Sequence, residues 1–162
     1  MKFLILNSSF LTLFVMKIIV VGDGCPGISI IEKLAKLNGL ELIVYCDIHH
    51  FITLDYGEVR VVDSGFQSVD MKVSNECKNG DIVVSQDYGV AAICLGKKAK
   101  VISPKGYIYN DKNIGDLLEQ RHISAKIRRA GGRTQNAKKR SKEDDERLQK
   151  NLIYLINMNF KE

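Results

Sequence analysis

"DIVVSQDYGVAA", residues 81–92, decides the fold. Ile82, Val83 and Val84 make a short β-branched run bounded by polar residues, the pattern of a buried strand over 81–85. A Ser-Gln-Asp corner follows, and then a helix over 88–96 that opens with small residues. A strand passing so quickly into a helix is half of a βαβ unit, which predicts a parallel sheet. Asp87 stands just past the C-terminal end of that strand. A carboxylate there is either a helix N-cap or part of a site.

The same alternation recurs on both sides. "KIIVV" (17–21) stops in Gly-Asp-Gly-Cys-Pro, and Pro26 suits the first turn of a helix carrying Ile28, Ile31, Leu34 and Ala35 up to Gly39. "ELIVY" (41–45) and "EVRVV" (58–62) read as strands, with a loop over 49–57. Asp63-Ser64-Gly65 turns into a helix bearing Val69, Val73 and Cys77, which Gly80 is expected to close. "AKVISP" (99–104) is the fifth strand, and Asn110 or Asp111 caps a helix through Leu118. The pattern predicts an α/β domain on a mostly parallel five-stranded sheet.

At 162 residues the chain suffices for one domain with a real core. The net charge is +5, yet Arg121 to Lys142 holds nine Lys or Arg and no Asp or Glu, so the remainder is net acidic. Two adjacent glycines and little apolar content make this stretch a basic loop or arm, and Ser141-x-x-Asp144 resembles a capping box for a final helix striped by Leu148, Leu152 and Leu155. The expected organisation is an extension over 1–15, an α/β domain over 16–120, and a basic arm with its helix over 121–162.

Cys25, Cys46, Cys77 and Cys94 form no C-x-x-C pair, which argues against zinc and a disulfide framework and fits core thiols in a reducing cytoplasm. "MKFLILNSSFLTLFVM" resembles a weak signal peptide, but Asn7-Ser8-Ser9 interrupts it and Lys17 ends it, leaving no unbroken span of about 18 apolar residues. Met16 is the expected natural start, with no stable membrane association.

Asp23, Asp63 and Asp87 each follow a predicted strand and belong at the carboxyl edge of the sheet, where open parallel sheets bind ligands. Asp70, early in the following helix, can point to the same crevice. Asp81 begins its strand, roughly 20 Å from Asp87 at about 3.3 Å per residue, and belongs to the opposite edge. Clustered carboxylates repel one another and attract divalent cations, and oxygen ligands select Mg²⁺ or Mn²⁺. Such ions support phosphodiester hydrolysis, with Asp23 and Asp87 as the catalytic acids and Asp23, Asp63, Asp70 and Asp87 as the metal shell. Each position also fits a turn or cap. His49-His50 can add a ligand or be a solvated loop pair.

Lys126, Arg128, Arg129, Arg133, Lys138, Lys139 and Arg140 suit phosphate neutralisation, and Gly131-Gly132 allows close backbone approach, so RNA is the expected partner. Tyr107 and Tyr109 can stack on bases or pack. No base-reading motif is visible.

"GDGCP", "VDSGFQSVD", "NGDIVVSQDYGVAA", "VISPKG", "ISAKIRRAGGRT" and "SKEDDERL" occur in that order, and together they resemble the YaiI/YqxD family of bacterial proteins from about Lys17 to Leu152. The resemblance implies a three-layer PIN-like domain, a group whose nuclease members hold Mg²⁺ or Mn²⁺ with strand-end acids, and it likens the Asp87 corner to their T-x-D corner. The function so implied is a Mg²⁺- or Mn²⁺-dependent ribonuclease. The chain departs from the family's D-x-D-x-C-P motif in carrying Val21 for the first acid, and Ser103 or Pro104 follows the fifth strand where PIN nucleases often have an acid. Those departures open the alternative of a noncatalytic RNA- or ribosome-binding module. A receiver-like phosphoacceptor built on Asp23, Asp63, Ser85 and Lys105 would lack its usual acidic pair.

Overall fold

The computed structural model describes residues 16–63 and 68–160, so the expectations for residues 1–15 and for the turn at Ser64–Gly65 lie outside it. Its strands are β1 (Lys17–Val21), β2 (Glu41–Asp47), β3 (Glu58–Val62), β4 (Ile82–Val84), β5 (Lys100–Ile102) and β6 (Ile108–Tyr109). They form one sheet in the order β3-β2-β1-β4-β5-β6, parallel throughout except for β6 on β5. The helices are α1 (Ile28–Asn38), α2 (Val69–Glu76), α3 (Tyr88–Gly96), α4 (Ile114–Arg129) and α5 (Lys142–Asn159).

Side chains alternate faces along a strand, so each buried strand feeds two cores. Ile18, Val20, Leu42, Val44, Ile82 and Val84 face α1 and α5. Ile19, Ile43, Val83 and Val101 face α2 and α3, with Ile114 and Leu117 of α4 packed at the margin. The result is the expected three-layer α/β architecture. Helix α5 is held at its start by the capping box of Ser141 and Asp144, and it buries Leu148, Leu152, Leu155 and Ile156. Each such side chain contributes about 1.5–3 kcal/mol.

Four local readings change. The sheet has a sixth strand, because Ser103 and Gly106 close a turn (Gly106 N–H to Ser103 O, 2.8 Å) that folds the chain back on β5. A two-residue strand is too short for periodicity to reveal. Strand β2 continues past Tyr45 to Asp47. Helix α2 ends at Glu76, and Gly80, at φ +87°, serves the turn into β4 instead.

The largest difference is α4, which continues past Leu118 to Arg129 through what reads as a basic loop. It buries no residue fully, so it has no apolar stripe to detect. Lys126, Arg128 and Arg129 in its last turn complement the helix dipole. The Gly132 N–H then caps the Ile127 carbonyl at 2.9 Å, with Gly131 at φ +80°. Its N-cap is Asn113, and the Asn110 side chain accepts from the N–H groups of Lys112 and Asn113.

Asp81 sits at the opposite edge, as its position at the head of β4 requires. It is buried and accepts from the N–H of Lys17 at 3.2 Å and of Lys78 at 2.9 Å. Burial pushes its carboxyl up, and the two N–H donors offset part of that rise. Asp81→Ala would strand both donors and should cost about 2–4 kcal/mol. Urea unfolding would show this as a lower midpoint with an unchanged slope; an unshifted midpoint would remove this role.

Candidate metal centre

The chain runs from β1 outward to β2 and β3, then crosses back to place β4 on the other side of β1. That reversal opens a crevice at the carboxyl ends of β1 and β4. Asp23 follows β1 and Asp87 follows β4, and Gln86 Nε2 joins their loops by donating to the Gly24 carbonyl at 2.8 Å.

Strand β2 brings Asp47 beside Asp23, and the Asp47 N–H donates to Asp23 Oδ1 at 3.1 Å. A turn closed by His50 N–H on the Asp47 carbonyl folds the imidazole back over both acids. Its Nδ1 lies 2.7 Å from Asp47 Oδ1 and 3.2 Å from Asp23 Oδ1. One ligand atom from each of Asp23, Asp47 and His50 falls within 4.8 Å of the others. Facing two carboxylates, Nδ1 carries a proton. The hydrogen bond His50 donates to Asp47 raises the His50 pKa, and the same bond lowers that of Asp47.

Asp70 stands in the first turn of α2. Burial, then the charges of Asp87 and Asp23, raise its pKa, while Arg121 works in the other direction. Three of the acids expected from the sequence therefore share one field. Asp63 is exposed at the end of edge strand β3, two strands from β1.

Asp87 caps α3 and also borders the crevice. Its Oδ1 caps α3 by accepting from Gly89 N–H at 2.7 Å and Val90 N–H at 3.1 Å, and Ser85 Oγ holds its own N–H. Its Oδ2 looks into the crevice and meets Arg121 Nη1 at 3.2 Å. Arg121 and Arg128 line two adjoining cavities. One of about 420 Å³ runs along α4 beside His122 and Arg129, and one of about 590 Å³ reaches Gln86, Asp87 and Tyr88. A basic cleft thus leads to the acidic crevice.

Of the basic residues, Lys126, Arg128, Arg129, Arg133, Lys138 and Lys139 are exposed. Arg140 turns inward, donating to Asp145 Oδ1 and to the Pro104 carbonyl, and so ties α5 to the turn after β5.

The donor set suits a divalent ion. Two carboxylates select a hard cation, and the imidazole nitrogen favours Mn²⁺ over Mg²⁺.

A family model described as "Uncharacterized BCR, YaiI/YqxD family" matches residues 19–158. The chain belongs to the YaiI/YqxD family. A UPF0178 protein of Clostridium novyi is 62% identical over 88% of this chain and 95% of its own length. Those of Clostridium kluyveri and Clostridium tetani are 59% and 58% identical, each over 87% of this chain and over 93% and 97% of their own lengths. A crystal structure of a Rae1 (YacP) mutant from Bacillus subtilis is loosely similar, with TM-score 0.44 and 16% identity, over 72% of this chain and 84% of that one.

One motif of this YaiI/YqxD chain lies directly at the crevice. "GDGCP" supplies Asp23, and its Cys25 is buried, with a thiol pushed up to about 11. Gly22 lets the loop pass under Ile52, since a Cβ there would lie 2.7 Å from the Ile52 side chain. All four cysteines are free and buried. No helix of the described residues is long and apolar enough to cross a membrane.

Asp47 and Arg121 are the site residues that sequence reasoning missed. The signal for Asp47 is present in the sequence, because "ELIVYCD" ends in an acid just as Asp23, Asp63 and Asp87 follow their strands. Ending the strand at Tyr45 hid it. Arg121 could be counted in the basic run, but its pairing with Asp87 depends on α4 being a helix.

Proposed function

We propose that this protein is a Mg²⁺- or Mn²⁺-dependent ribonuclease of PIN-like architecture. The observation that carries the reading is the convergence of Asp23, Asp47 and His50 within 4.8 Å at the carboxyl ends of the neighbouring strands β1 and β2, beside the switch point of the sheet. A bound divalent ion would supply an activated water and stabilise charge on the phosphoryl group. Asp23 and Asp47 hold the site, with His50 completing it. Asp70, whose raised carboxyl lies in the same field as Asp87, is suited to hold and release a proton. Arg121 and Arg128 present guanidinium groups to an entering phosphate, and Lys126, Arg129, Arg133, Lys138 and Lys139 extend the positive surface.

A second reading, an RNA- or ribosome-binding module without cleavage, is favoured by the state of Asp87. Both of its oxygens are engaged, one by the cap and one by Arg121. The test is incubation of unstructured RNA with Mn²⁺. Cleavage that EDTA stops supports the ribonuclease, and retention without cleavage supports the binding module. In either case, replacing Arg128, Arg129 and Arg133 by Ala should weaken retention of all sequences alike. The log-affinity slope against log salt should flatten by about 2, at about 0.7 per lost single-strand phosphate contact. An unchanged slope would take the basic cleft out of both readings.

A further inference from the structure

Phe51 follows His50 directly and is 99% exposed. A flexible loop would explain such a side chain without function, but this segment is pinned. Residues 51–56 alternate outward and inward, with Ile52, Leu54 and Tyr56 packed against the core under α1. Tyr56 donates its hydroxyl to the Leu40 carbonyl at 2.8 Å, and its N–H donates to Glu32 Oε1 at 2.6 Å. On the other side, His50 is anchored to Asp47. With both neighbours fixed, Phe51 has to stand in water, and Ile48, three residues before it, is 49% exposed.

An apolar ring held beside a cluster of carboxylates, with a cleft of arginines opening from the same crevice, matches a ligand of alternating character. Single-stranded RNA has a flat apolar face on each base and a charge on each phosphate. We propose that Phe51 is a stacking platform for one base of single-stranded RNA. It positions that nucleotide at the mouth of the crevice while the strand continues along Arg121 and Arg128. This rests on the nucleic-acid reading above and adds the element that selects unpaired strands, since a base within a duplex offers no free face.

The chain contains no tryptophan, so Phe51→Trp introduces a single fluorescent reporter. Its emission should be quenched when an unstructured oligoribonucleotide is added in EDTA, which prevents cleavage. Phe51→Ala should lose about 5- to 150-fold in affinity for that oligonucleotide, the equivalent of the 1–3 kcal/mol typical of one base–aromatic stack. Its thermal stability and its affinity for duplex RNA should not change. Wild-type binding that survives Phe51→Ala overturns the platform and leaves the ribonuclease reading standing. Self-association in sedimentation that depends on Phe51, without an effect on RNA, also overturns it and assigns the ring to a second copy of the chain. Absence of RNA binding by the wild type overturns both readings together.

Discussion

The Asp23→Asn protein should bind Mn²⁺ at least about 100-fold more weakly than the wild type. Changes to groups that merely support metal ligands cost about 10- to 100-fold. Asp23 is placed to be a ligand itself, at the point where the Asp47 N–H and the His50 ring meet. Asparagine keeps the shape and can still accept the Asp47 N–H at Oδ1, so the fold should hold while the charge is lost. Asp63→Asn, on the exposed edge strand, should leave affinity nearly unchanged. Asp87→Asn should fall between them, since only Oδ2 faces the crevice. Titration calorimetry on the three variants gives the order directly. Equal affinities for wild type and Asp23→Asn would dispose of the metal centre, and with it the proposed cleavage.

Gly106→Ala should be the most damaging single methyl group in the described residues. Gly106 has φ +85°, and a Cβ there would lie 2.3 Å from the backbone nitrogen of Leu148. The left-handed conformation costs a non-glycine residue about 1–2 kcal/mol, and overpacking against a fixed helix about 1–3 kcal/mol more. The contact cannot open freely. Asn151 donates to the Gly106 carbonyl at 2.7 Å, and Arg147 to that of Lys105 at 2.9 Å. Gly80→Ala separates the two terms, because Gly80 has φ +87° with nothing within 4 Å of its would-be Cβ. It should lose only the backbone part. Thermal unfolding should place Gly106→Ala about 4–20 °C below wild type and Gly80→Ala about 2–8 °C below it. Equal shifts would mean that the close approach of α5 is not what requires glycine.

Where the sequence was legible, a repeating physical demand lay behind it. The strands through Ile18, Ile43 and Val83 are apolar on both faces because helices cover both, and that pattern belongs to parallel sheets. The stripe of Leu148, Leu152 and Leu155 announced α5 for the same reason. The second half of α4, past Leu118, escaped because it faces water and its residues satisfy no apolar period. The acids were visible one by one as strand-end residues. Which of them converge depended on strand order, and no local pattern records that β1 lies between β2 and β4. His50 shows the limit most plainly. Its sequence context suits a solvated loop, and only the turn from Asp47 aims the ring at two carboxylates.

The order of synthesis gives α5 a further meaning. Ile18 and Val20 are among the first described residues to leave the translating ribosome, and Leu148, Leu152 and Ile156, which cover the same face, are among the last. At about 5–20 residues per second, several seconds pass between them. During that interval the half-built sheet carries an uncovered apolar surface, which favours capture by chaperones and exposes prematurely terminated chains to aggregation. Completion of this core therefore waits on its last helix: α5, stitched to the turn at Gly106, is the wall that closes the face opened by β1.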